Sequence, residues 1–284
     1  MVSLDAATVL LQWAVGGLLF LWVTTRHRVV GLGYGWLMRG VFGVMALGAL
    51  ACSRFSPPSI VRDAAALGVS VGAFGGLVVS VFRRKAGVSG QRDVEERRTE
   101  RIAVMTGIDR AEIRRDTAAK EFAPALDLIA PAIGVVGLVA AAVAAHGPTS
   151  VAIIRTLIGA AFLGSVSDAM LLGHWYLVQP GLGRGPINEL NRWLQYLWPA
   201  EVGAMLLPTG MISVLTGRVH DGYGGILGWF WVACAVFTLG LSFTTTAALK
   251  ERAYSAVMAA TGLLYLAILT AFGTDLVARL VLKG

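Results

Sequence analysis

The sequence is short of charged side chains: Asp, Glu, Lys and Arg make up only 14% of its 284 residues. Water-soluble domains carry about 25%. Hydrophobic residues instead make up 56% of the chain, and its mean hydropathy is +0.70. Because too few polar side chains are present to cover a water-facing surface, the composition excludes an ordinary soluble domain and predicts a protein surrounded by lipid.

Cysteine and histidine are also scarce, with two and four residues respectively. Cys52 and Cys234 fall within apolar runs and show no paired spacing, which excludes a disulfide framework and a thiolate metal site. The chain has no HExxH, CxxC or P-loop motif, and the glycines at 181, 183 and 185 do not follow a strand, as a dinucleotide-binding turn would require. No metal site is therefore expected.

Long apolar runs are what the sequence does contain. Eight of them reach the length of about 20 residues that a helix needs to cross a bilayer. The first has no basic region before it and is predicted to be a retained helix rather than a signal peptide. The pattern predicts an all-α, polytopic integral membrane bundle of about eight transmembrane helices, at residues 4–24, 33–53, 60–82, 123–146, 151–178, 193–216, 223–249 and 254–280.

One long polar segment divides the chain. Residues 83–122 hold eleven basic and eight acidic residues, and charges of both signs at spacings of three and four predict short solvated helices. We therefore expect spans one to three in residues 1–82, a charged cytoplasmic loop in 83–122, and spans four to eight in 123–284, within a single membrane domain. The loop, Arg83 to Phe122, is a candidate docking surface for partner subunits.

The orientation is predicted from the basic residues. Besides the loop, Arg26, Arg28, Arg184 and Lys250 fall in links on the same side of the predicted bundle. Since cytoplasmic links carry an excess of Lys and Arg, both termini are expected outside, in a multi-pass protein of the cell (plasma) inner membrane. The net charge of +7 is explained by this bias and by attraction to anionic lipid, so nucleic acid is not an expected partner.

The candidate site begins in the stretch Ser167 to Pro180. Asp168 and His174 lie there in a predicted span, where a charged side chain costs about 2.5–3.5 kcal/mol. Arg39, Glu201 and Asp168 are predicted roughly 9, 12 and 15 Å from the cytoplasmic ends of their helices. Asp168 and His174 lie on different helix faces, so a proton relay between them needs a group from another helix. We predict that Arg39 and Glu201 supply it, forming a proton relay or ligand pocket in the cytoplasmic half.

Quinone is the expected ligand of this pocket. A quinol needs a proton acceptor, a donor to its oxygens and flat apolar walls, and we assign its binding to Trp175, Tyr176, Trp198 and His27. The aromatic residues are equally typical of an interfacial belt. Haem b is disfavoured because each histidine falls at a helix end or in a link, and His27 with His174 is the single pairing on the cytoplasmic side.

The topology resembles that of the quinol-interacting anchor subunits of the dimethyl-sulfoxide-reductase type. The resemblance consists of eight spans, both termini outside, and an acid and arginine, Asp275 and Arg279, that close the last span. It includes no diagnostic motif. It implies an integral subunit of a respiratory electron-transport complex that contacts quinone or a redox partner, and the sequence leaves open whether the chain has enzyme activity of its own.

Two alternatives stay open. In a small-solute or ion transporter coupled to protons, Asp168, Glu201 and Arg39 would be coupling or substrate-binding groups, with Pro131 and Pro208 as hinges. In an assembly or structural protein, Arg39 would pair with Glu201 or Asp168 and only hold helices together, because buried charges must be paired whatever their purpose.

Overall fold

The computed structural model describes residues 5–91, 120–145, 147–179 and 181–282. Every regular element within these ranges is helical, which confirms the predicted fold class. The short helices predicted for the charged loop fall mainly in residues 92–119, outside the described ranges. The α-helices in the described part of the chain are α1 (Ala6–Thr25), α2 (Leu32–Cys52), α3 (Ile60–Phe82), α4 (Ile129–Ala144), α5 (Thr149–Val178), α6 (Gly185–Leu206), α7 (Gly210–Leu215), α8 (Ile226–Lys250) and α9 (Tyr254–Val281).

Seven helical segments in the described ranges are long and apolar enough to cross a membrane, and α6 does not meet that criterion. They contain α1, α2, α3, α4, α5, α8 and α9, and the segment of α4 includes the 3-10 turn Pro124–Leu128 that precedes it. The protein is therefore a multi-pass membrane protein. Of the about eight transmembrane helices that the sequence predicts, the sixth is the one that falls outside this criterion.

The helix α6 nevertheless runs the length of the bundle. Near its start, Glu189 forms an ion pair with Arg26 at the end of α1. Near its end, the carbonyl of Ala204 accepts a hydrogen bond from Arg155, close to the start of α5. Its 22 residues span about 33 Å. In the described ranges, α6 thus lies along the bundle beside the seven apolar spans, and this more polar segment is interrupted between α6 and α7.

The two ends of the bundle differ in the links that they carry. The basic end holds the links after α1, α3, α5 and α8, whose described residues are 26–31, 83–91 with 120–123, 179 with 181–184, and 251–253. The terminal end holds the other links and both ends of the described chain. Asp5 and Arg62, 3.2 Å apart, join the starts of α1 and α3 there.

The most enclosed span is α1. In its apolar stretch, 67% of the residues are buried inside the protein, whereas this share is 33–56% in the other six apolar spans. It crosses α5 where Gly16 meets Gly164. A Cβ atom on Gly16 would lie 1.8 Å from the carbonyl oxygen of Ala160, and one on Gly164 would lie 2.2 Å from the backbone of Gly16. Only glycine fits at both positions, because two backbones approach within contact distance.

The glycines of α3 at four-residue spacing also pack against other helices. A Cβ on Gly68 would lie 2.9 Å from Ile133, and one on Gly72 would lie 3.2 Å from Ala130, both of which belong to α4. This stripe of small residues lets α3 and α4 approach closely, as such spacing is expected to do in membranes.

Candidate functional site

Buried polar side chains from four helices meet near the terminal end. Gln12 of α1, Arg155 of α5, Glu201 of α6, and Asp275 and Arg279 of α9 have between 0% and 3% of their surface exposed. We call these five residues the terminal-end cluster. Ionisable groups within membrane spans are costly unless they are paired, so such a concentration marks this place as the first candidate site.

An ion pair within α9 forms one side of the cluster. The guanidinium Nε of Arg279 lies 2.9 and 2.8 Å from the two carboxylate oxygens of Asp275, one helical turn earlier. Its Nη2 donates to the backbone carbonyl of Arg155 at 3.3 Å, and Gln12 Nε2 donates to Asp275 at 3.5 Å. The pair therefore connects α9 to both α5 and α1.

Arg155 binds the end of α6. Its Nε donates to the carbonyl oxygen of Ala204 at 2.9 Å, and its Nη2 donates to the carbonyl of Leu207. Pro208 has no N–H, so it cannot donate to the carbonyl four residues earlier, which is that of Ala204. The arginine supplies the missing donor, and its positive charge faces the negative end of the helix dipole.

Within the terminal-end cluster, Glu201 is the residue whose polar atoms have the fewest hydrogen-bond partners. Its side chain is wholly buried, and neither carboxylate oxygen has a hydrogen-bond partner among the described residues. It lies within electrostatic range of Asp275, Arg279 and Arg155. Because a buried carboxylate without donors is costly as an anion, this geometry suits a group that carries a proton or meets a ligand.

A second buried carboxylate, Asp168, lies further along α5. The hydroxyl of Tyr34 donates to its Oδ1 at 3.1 Å, and its Oδ2 has no partner among the described residues. The ring of Tyr34 lies against that of Trp175, with centroids 5.9 Å apart. Asp168, Tyr34 and Trp175 therefore form one local site, which we call the Asp168 site.

Arg39 is paired with Asp127 near the basic end. Its Nε and Nη2 lie 2.7 and 2.8 Å from the two carboxylate oxygens of Asp127, in bidentate geometry. Its guanidinium carbon lies 4.3 Å from the centre of the Phe122 ring. The prediction that Arg39 pairs with Glu201 or Asp168 is therefore wrong, because the 3-10 turn before α4 brings a nearer carboxylate.

The four residues predicted to form one cytoplasmic-side pocket do not come together. Arg39 belongs to the pair with Asp127, Asp168 contacts Tyr34, and Glu201 joins the terminal-end cluster. His174 is exposed on the bundle surface. Glu201 was expected nearer the basic end, but α6 begins at Gly185 rather than at residue 193, which moves Glu201 further along the helix.

The aromatic residues predicted to bind quinone form hydrogen bonds with other parts of the protein. Tyr176 donates from its hydroxyl to the carbonyl of Gly183 at 2.6 Å, and Trp198 Nε1 donates to the carbonyl of Ala235 at 2.8 Å. Trp175 Nε1 donates to the Gln179 side chain at 3.0 Å, within the last turns of α5. The ring of Trp175 also packs against Tyr34, which donates to Asp168.

Histidine geometry gives no cluster of possible metal ligands. His27 is exposed and its Nε2 lies 3.3 Å from a carboxylate oxygen of Glu189, which also pairs with Arg26. No group of three or more His, Cys, Asp or Glu side chains suited to a metal ion occurs in the described ranges. The expectation that His27 and His174 hold no haem b stays a prediction.

Sequence reasoning missed Gln12 and Tyr34. Gln12 is an amide in the middle of an apolar run, and such a residue in a membrane span requires a hydrogen-bond partner. Tyr34 was not recognised because tyrosine near a helix end is typical of the membrane interface. Here it is fully buried and directed at a carboxylate.

Fold and sites together define a polytopic helical membrane protein whose buried ionisable groups lie at three levels of the bundle. Comparisons with known protein families, characterised proteins and solved structures give no match to this chain. Its function must therefore be inferred from the arrangement of its own residues.

Proposed function

We propose that the protein is a proton-coupled transporter of a small solute or ion, with Glu201 as the carboxylate that takes up and releases the proton. The observation that carries the proposal is the environment of Glu201. It is fully buried, neither oxygen has a hydrogen-bond partner in the described residues, and a second acid and two arginines surround it.

A coupling carboxylate must be stable in two protonation states. The neutral form of Glu201 suits the present surroundings, since its buried oxygens receive no hydrogen bond from Arg155 or Arg279. The ionised form would be stabilised by Arg155 and Arg279, whose charges lie within electrostatic range. Arg279 Nη1 also lacks a partner among the described residues, so a small rearrangement would give the ionised carboxylate a donor.

The interruption between α6 and α7 supports movement at this site. The helix ends at Leu206 and resumes at Gly210, with Pro208 between them. In transporters, substrate sites form at broken helices of this kind, where carbonyl groups are freed from the helix ladder. Here Arg155 holds two of those carbonyls, so releasing them would change the end of α6 and the surroundings of Glu201 together.

Asp168 provides a second buried acid on the way to the basic end. Its free Oδ2 and its hydrogen bond from Tyr34 give it the chemistry of a second proton-binding position. Acids at two depths are what a carrier needs to receive a proton from one side of a membrane and pass it to the other. Under the positive-inside rule the basic end faces the cytoplasm.

The test is proton movement in proteoliposomes that contain the purified full-length chain and a pH-sensitive dye. Inorganic ions, amino acids and organic acids are added one at a time, outside the vesicles. We expect at least one solute gradient to change the internal pH, and Glu201→Gln to abolish that change. Asp63→Asn is the matched control, since Asp63 lies in an ion pair near the terminal end but is 28% exposed.

Two results would contradict the proposal. One is a solute-driven pH change that Glu201→Gln leaves at the wild-type rate. The other is the absence of proton movement with every solute, with both variants altering only stability, which would assign the buried charges to an assembly or structural role.

A quinone-contacting redox subunit is the second candidate, and one observation favours it. Asp168, Tyr34 and Trp175 place an acid, a phenol and a flat indole together, which is the set of groups that a quinol requires. Extraction of bound lipids and an absorption spectrum of natively purified protein test it. Bound quinone together with co-purifying redox subunits would replace the transporter proposal.

A further inference from the structure

A cleft at the basic end is separate from the groups assigned to transport. Its volume is about 370 Å³, counting the open mouth, and it lies between the start of α2, the end of α1 and the segment that leads to α4. Arg39 lines its inner part, with 2% of its surface exposed. Arg28 also lines it and has a side chain that is 45% exposed, which places it at the mouth.

Arg39 keeps one nitrogen without a partner there. Asp127 accepts hydrogen bonds from its Nε and Nη2, but its Nη1 has no partner in the described ranges. A guanidinium offers five N–H donors and is strongly favoured where an oxyanion has to be bound. The unpartnered Nη1 of a nearly fully buried arginine therefore indicates a ligand acceptor in this cleft.

The start of α2 adds donors of the same kind. Val30, Gly31 and Leu32 line the cleft, and the N-cap residue Gly31 provides no side chain to cap the helix. The first N–H groups of a helix have no partners within it, and the helix dipole makes this end partly positive. Gln179 Oε1 already accepts from the N–H of Gly31 at 3.0 Å, so the donors of this end come from the first turn of the 21-residue helix itself. Together with the free N–H of Arg39 they favour an anion.

The charges of the cleft define which anion fits. Among the described residues, Arg39 pairs with Asp127, and Arg28 pairs with Glu121 at 3.1 Å. These four charges sum to about zero, and the free N–H and the helix dipole then favour a negative group. This suits a group with one negative charge. Apolar side chains complete the walls, among them Leu32, Val88 and Phe122. They suit the carbon chain of an esterified phosphate.

We propose that this cleft binds a singly charged phosphate group, supplied either by the headgroup of a phospholipid or by a soluble phosphate. Its place, where the apolar helices give way to the polar links of the basic end, is the level of lipid headgroups.

The experiment uses native mass spectrometry of the purified full-length chain with added phosphatidylglycerol, and in parallel with a galactolipid that has no phosphate. The blocking variant is Gly35→Ala. Gly35 lines the cleft, and a Cβ there would lie 2.7 Å from Arg39 Nη1. The matched control is Gly40→Ala in the same helix, where an added Cβ meets nothing within 4 Å.

We expect phosphatidylglycerol to bind more tightly than the galactolipid, and Gly35→Ala to weaken its binding by about tenfold or more, as the loss of a hydrogen bond to a charged group predicts. Gly40→Ala should bind as the wild type does. Inorganic phosphate distinguishes the two sources: displacement of the lipid by phosphate at low concentration identifies a soluble ligand, and no displacement identifies the lipid.

A second variant tests the proposal independently of whether Gly35→Ala folds. Arg28 has a φ of 55°, a conformation that Asn tolerates well, so Arg28→Asn removes the charge at the mouth without straining the backbone. It should also weaken binding, whereas Lys250→Asn, at an exposed position of the same end, should not. Equal binding of both lipids, or equal affinities of Gly35→Ala and Gly40→Ala, would overturn the proposal.

Discussion

The ion pair between Arg39 and Asp127 allows the most direct test of how the bundle is held together. The change is a double-mutant cycle made of Arg39→Met, Asp127→Ala and the combination of both. Each single change leaves the other charge buried, since both side chains are 3% exposed. Breaking a buried pair in this way costs about 3–5 kcal/mol of unfolding free energy.

The double variant should lose much less than the sum of the two single variants. Two charge-assisted hydrogen bonds, at 2.7 and 2.8 Å, contribute about 1.5 kcal/mol or more each, which gives a coupling energy of at least about 3 kcal/mol. With both charges removed, no uncompensated ion stays in the apolar interior, and Met fills much of the space of the arginine stem.

The measurement is reversible unfolding by sodium dodecyl sulfate in mixed micelles, which gives the unfolding free energy of all four proteins. Arg28 and Glu121 provide the control cycle at the same end, with side chains that are 45% and 17% exposed. Their coupling energy should not exceed about 1 kcal/mol. A coupling energy below about 1 kcal/mol for Arg39 and Asp127, or equal values for the two pairs, would refute the reasoning.

Three further predictions concern packing, capping and pH. Gly159→Ala should destabilise the protein by about 1–3 kcal/mol, because a Cβ there would lie 2.5 to 2.9 Å from three polar atoms of the terminal-end cluster. Gly262→Ala is the control and should not destabilise it, since an added Cβ there meets nothing within 4 Å. Thermal unfolding compares the two variants. Arg184→Ala should cost about 1–3 kcal/mol in mixed-micelle unfolding, since its guanidinium donates to carbonyl groups at the end of α8 and just before α9, and Arg184→Lys should restore little of it. Backbone N–H donors, led by that of Gly225, lower the pKa of Asp221. The ionised carboxylate therefore stabilises the folded protein above the usual pKa range of Asp, and this stabilisation is lost as the pH falls through the lowered pKa. The unfolding free energies of the wild type and Asp221→Asn should differ at neutral pH and converge in acid.

The crossings themselves could be predicted because hydropathy is a local property of the sequence. The predicted start of α6 at residue 193 is wrong because the mostly polar residues 188–192 were interpreted as a link. Pro186 is a signal that would have corrected this, since proline favours the first positions of a helix and lies at that place in α6. The earlier start moved Glu201 to the other half of the bundle.

The pairing of charges could not be predicted, because it depends on how each helix is rotated about its axis. Arg39 is predicted near the cytoplasmic end of its helix, but nothing in the sequence states which side of α2 faces the turn that carries Asp127. The hydrophobic periodicity that fixes rotation in soluble helices is weak here, since lipid and protein neighbours are both apolar. Asp168 and Glu201 lie apart for a different reason, which is the earlier start of α6.

The middle of the bundle limits how a proton could travel between the two buried acids. The terminal-end cluster and the Asp168 site lie on either side of the crossing of α1 and α5, where Gly16 and Gly164 bring the backbones into contact. At this level Trp13 Nε1 donates to Ser167 Oγ at 2.8 Å, and that hydroxyl donates to the carbonyl of Leu163. These groups are engaged with each other, so in this conformation the described residues form no continuous proton wire from Glu201 to Asp168. Under the transporter proposal, a rearrangement at the interruption between α6 and α7 is the motion best placed to open a path between the two acids.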